Sequence, residues 1–229
     1  MGRDWKAELR HMLGVPAQVE NDANLEALGE ATYGAGRASR SLVHIKLVGG
    51  LGGGVVLDRR LIRGADGFAG ELAHMHVDDD GPLCACGGRG CLTGRANLRG
   101  IIRVIQPAFD EEMTLGKLAS LCAAGDRATR TIFFDLGRLI GGSLGSACVL
   151  LNPETITIDG ALGAIGEPVT DGVKEGVSRT APGTVADTLR VLPGSLGETA
   201  HLFGALALAQ QEQQPEMLWR AHAPVDASA

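Results

Sequence analysis

Residues 127–160 read RATRTIFFDLGRLIGGSLGSACVLLNPETITIDG, from Arg127 to Gly160, and this run decides the fold class. Its apolar residues Ile132, Leu136, Leu139, Ile140, Leu144, Ala147, Cys148 and Leu151 recur at a period of 3.6, which predicts one long amphipathic helix. Asn152-Pro153 cannot continue it, because proline lacks the N–H and clashes with the preceding turn. Thr155-Ile156-Thr157-Ile158 then reads as a buried strand closed by Asp159-Gly160, and a second helix follows to about Ser178. Helix, strand and helix in that order require a parallel crossover and so an α/β fold.

Working outward, Asn21 and Asp22 are N-cap residue types opening a predicted helix over Ala23 to Gly36. Leu42 to Val48 is apolar and β-branched, Gly49 to Gly54 reads as a Gly-rich turn, and Val55 to Leu57 as a return strand before Asp58-Arg59-Arg60. Residues 63–94 have no helical period and are expected to be an ordered loop needing a staple. A last strand near Leu189 to Leu192 and a helix from Glu198 to Gln211 complete a single lobe over residues 1–211, leaving 212–229 as a flexible tail.

Composition narrows the function classes. The chain is 45% hydrophobic but only 3% aromatic and holds 34 glycines, so its interior must be aliphatic and its turns tight. A formal charge of −6 excludes this stretch as a nucleic-acid wrap, which needs clustered Lys and Arg. No unbroken run of 18 apolar residues and no signal-type segment at Met1 to Gly14 is found, so the expected location is the cytoplasm.

Three of the five cysteines crowd into Cys84-Ala85-Cys86-Gly87-Gly88-Arg89-Gly90-Cys91. In a reducing compartment such a cluster reads as metal ligation before disulfide. Three thiolates with one imidazole make a closed tetrahedral set, the chemistry of a structural zinc with no open position for water. The imidazole is His74 or His76, and a shift of two residues along an extended segment keeps the same face.

The text Gly70-Glu71-Leu72-Ala73-His74, followed by the Cys-x-Cys-Gly-x-x-Gly-Cys run, resembles the zinc signature of the ROK family of sugar kinases and sugar-responsive repressors, which selects His74 over His76. The similarity runs from about Leu13 to Ala209. It implies the C-terminal lobe of an actin-like ATPase, ribonuclease H-like fold, with the family's N-terminal lobe missing. Glu20-Asn21-Asp22-Ala23-Asn24 resembles the sugar-binding segment, in which the Asp is the kinase base. By the same resemblance Asn21, Asp22, Glu71 and His74 would face a sugar, Gly50, Gly52 and Gly53 would belong to a phosphate-binding turn, and Asn152 to Gly160 would approach an adenosine site. Read without the resemblance, Asn21-Asp22 is a helix cap, residues 49–54 a hairpin turn, Glu71 a surface carboxylate and Glu30 a solvated helix residue.

Three departures shape the functional expectation. Nothing in the 229 residues supplies the family kinases' Asp-x-Gly-Gly-Thr phosphate motif, Thr93 stands where a sugar-binding Glu is usual, and Gly49 stands where a Thr or Ser is common. The expected function is therefore the effector-binding, dimerising part of a ROK-type regulator, zinc-stabilised and without kinase activity. It would bind a small sugar and reach DNA only through a segment absent from this chain. The alternative is a fragment of an ATP-dependent sugar kinase of glucokinase or amino-sugar kinase type, with magnesium and Asp22 as base.

Overall fold

The computed structural model describes residues 4–48 and 50–213. In chain order its helices are α1 (Trp5–Leu13), α2 (Asp22–Thr32), α3 (Leu92–Arg95), α4 (Leu98–Ile105), α5 (Leu115–Ala123), α6 (Arg127–Leu151), α7 (Ala161–Ile165), α8 (Glu167–Thr180), α9 (Gly183–Ala186) and α10 (Ala200–Gln213). The strands are β1 (Leu42–Val48), β2 (Gly50–Leu57), β3 (Arg60–Leu61), β4 (Thr155–Gly160) and β5 (Arg190–Pro193). They form one sheet in the order β3-β2-β1-β4-β5. The β1, β4 and β5 strands are parallel, as the helix-strand-helix run predicts, while β2 and β3 return antiparallel from β1.

Alternation along the two central strands divides the core. Val43, Ile45 and Leu47 of β1, with Ile156 and Ile158 of β4, join Phe133, Leu136, Ile140 and Leu144 of α6 in the main hydrophobic cluster. The opposite face carries Leu42, packed with Ala27 and Ala31 of α2, but also the buried polar residues His44, Lys46, Thr155, Thr157 and Asp159. In turn, α10 packs on α2, with Leu28, Ala207 and Leu208 as its apolar centre.

The long helix stands as read, running from Asp126, whose carboxylate accepts from Thr129 N–H, to a left-handed Asn152. It is long and apolar enough to cross a membrane, a property that a scan for unbroken apolar runs does not register. Its buried face is instead shared between the sheet and α8. At Gly141 a Cβ would stand 2.8 Å from Val173 Cα, and one at Gly172 would stand 2.9 Å from Arg138 N, so the two backbones touch along a glycine seam.

Several local expectations are corrected. Gly50 to Gly54 are strand residues, not a turn: Gly50 pairs with Val48, Gly52 with Lys46 and Gly54 with His44. The physical reason is the docking of α2, since a Cβ on Gly54 would come within 2.7 Å of Ala27 Cβ. The helix expected to run unbroken to about Ser178 is two helices, parted at Gly166 with φ +78° and restarted with Pro168 in the first turn. The loop over 63–94 contains a 3-10 turn at Leu72–His74 and ends in α3. Helices α1, α4 and α5, too short to show a period in the sequence, are additional. Gly49 and residues 214–229, read as the phosphate-turn departure and as most of the tail, lie outside the described residues.

Candidate ligand cleft and metal centre

The cysteine loop folds by backbone pairing that its glycines permit. Cys84 N–H donates to the Gly88 carbonyl at 2.8 Å and Gly87 N–H to the Cys84 carbonyl at 3.0 Å. Gly87 and Gly90 take the left-handed φ values of +92° and +68°, where a side chain would be strained. An antiparallel bridge between His76 and Cys91 brings the far end of the loop back beside the histidines.

The result gathers one ligand atom each from His74, Cys84, Cys86 and Cys91, all within 4.8 Å of one another. Cys86 and Cys91 sulfurs are 3.6 Å apart, and Cys84 Sγ lies 3.4 Å from His74 Nδ1. A tetrahedral zinc with sulfurs at about 2.3 Å would set them ~3.8 Å apart, so the residues fit such an ion. The Gly88 N–H, 3.4 Å from Cys86 Sγ, holds that thiol below its ordinary value and favours the thiolate a metal needs. His76 faces Asp79 instead, at 3.4 Å. The 3-10 turn at Leu72–His74 is why the two histidines do not share a face as they would on an extended segment.

The second feature is a cleft of about 900 Å³ at the carboxyl ends of the three parallel strands, where α/β sheets bind ligands. Lys46 and Leu47 come from β1, Asp159 and Gly160 from β4, and Gly194 from just beyond β5, while α2 contributes Asp22 and Glu26. Lys46 Nζ donates to Asp22 Oδ2 and to Glu26 Oε1, each at 2.7 Å. Behind it, His44 Nε2 is 3.5 Å from Glu26 Oε2, and His44 Nδ1 is 3.0 Å from Thr157 Oγ1.

These contacts set the charge states. The hydrogen bond from Lys46 holds Asp22 below its ordinary value. Burial pushes the Glu26 carboxyl up, but the nearby His44 imidazole and the hydrogen bond from Lys46 outweigh it and leave Glu26 lowered. Burial works against the charged form of Lys46 too, and the two carboxylates more than compensate, raising it. Glu20 is likewise lowered: burial opposes the charge, while Asn24 Nδ2 at 2.9 Å and Arg63 Nε at 2.6 Å stabilise it.

The sequence-derived site residues do not converge on one cavity. Asp22 lines the large cleft with its side chain 71% exposed, whereas His74 and Thr93 line a smaller hollow of about 360 Å³ over the cysteines. Asn21 is spent as a cap, its Oδ1 accepting from Ala23 N–H at 2.8 Å. Glu71 opens the 3-10 turn without a side-chain capping bond and lines neither cavity. Of the three phosphate-turn glycines, only Gly50 has open space around it. Gly52 lies against Ala23 and the Lys46 side chain, and Gly53 lies under the Gly70 carbonyl and Leu72.

Glu30 is not a solvated helix residue. It is fully buried and accepts from Ser195 N–H and Leu196 N–H at 2.8 Å and from Ala35 N–H at 2.7 Å, clamping α2 to the loop after β5. Lys46, Glu26 and Asp159 were missed altogether. Their signal was the alternation of His44 and Lys46 with aliphatics, echoed by Thr155, Thr157 and Asp159: two buried strands, each polar on one face.

Comparison with known proteins agrees with this architecture. The ROK family model matches residues 2–212. The chain is 27% identical over 201 residues to a xylose repressor of Bacillus subtilis (strain 168), covering 88% of this chain and 52% of the repressor. It thus spans about half the length of that relative. Among solved structures, a ROK family transcriptional regulator, a homologue of the E. coli MLC protein, superposes with a TM-score of 0.82 at 28% identity, covering 94% of this chain and 57% of that one. A ROK family glucokinase from Streptomyces griseus in complex with glucose and AMPPNP gives 0.76 at 31% identity, covering 90% and 72%. The fold is therefore the mixed α/β fold of the actin-like ROK regulators and kinases, and the chain belongs to the ROK family.

Proposed function

We propose that this chain is the effector-binding lobe of a ROK-type transcriptional regulator: a cytoplasmic, homodimeric sugar binder, stabilised by zinc, that carries out no phosphoryl transfer in this form. DNA contact would come from a segment outside the chain, whose formal charge of −6 suits no phosphate surface. The observation that carries the reading is the 2.7 Å contact between Lys46 Nζ and Asp22 Oδ2. A kinase base must take a proton from the attacking hydroxyl, and an ammonium bonded to it makes it a poorer proton acceptor. As a hydrogen-bond acceptor for a sugar hydroxyl the same carboxylate remains well suited.

In this reading His74, Cys84, Cys86 and Cys91 hold zinc, and the ion makes the loop over 63–94 a rigid wall. With Nδ1 turned to the cysteines, His74 would offer Nε2 to a sugar hydroxyl in the hollow it shares with Thr93. Zinc and sugar binding are then coupled through one imidazole.

The kinase alternative is favoured by the exposure of the Asp22 carboxylate at the cleft and by the likeness to a glucokinase. ATP and magnesium would be required, with Gly50, Gly52 and Gly53 near the phosphates. Calorimetric titration with D-xylose and D-glucose, alongside a sugar-dependent ADP-release assay, separates the two. The expected result is sugar binding that Asp22→Ala abolishes without changing the circular dichroism, and no ADP release. Release that disappears in Asp22→Ala would establish the kinase, and an Asp22→Ala variant binding sugar as well as the parent would show the pocket misplaced.

A further inference from the structure

Three sulfurs converge in the cysteine loop, but they do not meet solvent equally. Cys86 is exposed, Cys84 is half-buried and Cys91 is 4% exposed. Every residue from Ala85 to Arg89 is exposed, so the tip of the loop that carries Cys86 stands in solvent. Gly88 keeps one side of the sulfurs open. A Cβ there would stand 3.4 Å from Cys86 Sγ and 3.8 Å from Cys91 Sγ, in ordinary contact with both.

Those two sulfurs are 3.6 Å apart. A disulfide at about 2.05 Å would ask them to close by roughly 1.5 Å. Cys91 is the fixed partner: its backbone bridges to His76, and the N–H of the next residue, Leu92, donates to the Met75 carbonyl at 2.8 Å. Cys86 is the movable one, because Gly87 and Gly88 beside it carry no side chain to resist rotation. Cys84 is a poorer partner for Cys86. Its sulfur lies 3.4 Å from His74 Nδ1, and a bridge across one intervening residue would close a far tighter ring. The other two cysteines are a contrast: Cys122 and Cys148 are buried, and burial pushes both thiols up, Cys148 to about 11, which leaves them inert. An accessible cysteine with a second cysteine poised to resolve it is the arrangement that oxidation sensors use.

We propose that Cys86 is an oxidation site with Cys91 as its resolving thiol, and that hydroperoxides convert the pair into a disulfide. The Cys86 sulfur attacks a peroxide oxygen and the O–O bond breaks. The departing oxygen takes a proton from solvent and leaves as water or an alcohol, with Cys86 as the sulfenic acid. The Cys91 sulfur then attacks the Cys86 sulfur, the S–O bond breaks, and the hydroxide leaves with a proton as water. The two sulfurs lose two electrons and the peroxide gains them. Of the four candidate ligands His74 and Cys84 then remain, too few to close a tetrahedral site, so oxidation would unstaple the loop. This last consequence rests on the zinc reading above, whereas the disulfide does not.

The test treats the full chain with hydrogen peroxide, alkylates the remaining thiols and maps the peptides by mass spectrometry, with metal content read by emission spectrometry before and after. The expected result is a Cys86–Cys91 disulfide, release of the bound zinc in step with it, reversal by dithiothreitol with added zinc, and Cys122 and Cys148 still reduced. Gly88→Ala keeps all four ligands and sets a methyl group over both sulfurs, so the disulfide should form several-fold more slowly. A chain that holds no metal yet forms this disulfide would refute the zinc reading and support the oxidation site. Thiols that stay reduced, a bridge between Cys84 and Cys86 instead, or an unchanged rate in Gly88→Ala would overturn the proposal.

Discussion

Lys46 holds two carboxylates at once, and the pH dependence of stability should show it. Asp22 and Glu26 have folded-state values below their ordinary 3.8 and 4.5, so their contribution is present above that range and lost as pH falls through the lowered values. Lys46 is raised above 10.5, so its share is lost only as pH climbs past the raised value. Lys46→Met should cost roughly 1–3 kcal/mol at neutral pH by stranding Glu26, and should flatten the acid flank of a urea-denaturation profile measured against pH. An acid flank identical to the parent's would mean that the triad carries no linkage. Glu30→Ala should be worse, because it strands the Ser195, Leu196 and Ala35 amides together. A loss of about 3 kcal/mol or more, read as a fall of ~6–12 °C in melting temperature, is expected. Neither role was legible residue by residue. A Glu inside a helix looks solvated until the loop that buries it is known, and that loop lies 165 residues away in sequence.

The long helix α6 was legible from end to end, because its period, its Asp126 cap and its Asn152-Pro153 stop are all local. What the period does not say is that its partner helix lies backbone to backbone against it, over Gly137 and Gly141 on one side and Gly172 and Gly176 on the other. Gly141→Leu should wedge these helices apart and destabilise the fold by more than the ~1–3 kcal/mol typical of overpacking, since it meets backbone rather than a movable side chain. Melting within 2 °C of the parent, roughly 1 kcal/mol for a chain this size, would contradict the seam. The glycines of β2 were misread for a related reason. A glycine run signals a turn when only neighbours in sequence are considered, yet here it clears space for α2 on the sheet.

Across the whole molecule, the cluster of His74, Cys84, Cys86 and Cys91 would, with zinc bound as proposed, staple a segment with little regular structure. Chelation by EDTA and Cys86→Ser are expected to act alike, removing bound zinc and lowering the melting temperature by on the order of 10 °C, because ligand binding to such a site is folding free energy. Emission spectrometry of the purified chain reads the metal directly, and unchanged metal content and melting in Cys86→Ser would refute the centre. The sequence alone determined the α/β class, the long helix with the strand that follows it, the grouping of the three cysteines and the family. Each of these is carried by a period or by residues close together in the chain, where spacing is geometry. Only the tertiary structure decided that Glu30 is a buried clamp, and that Asp22, Lys46, Asp159 and Gly194 share one cleft. Those four come from a helix, two strands and a loop, and their meeting depends on strand register and helix docking, which no local stretch of sequence encodes.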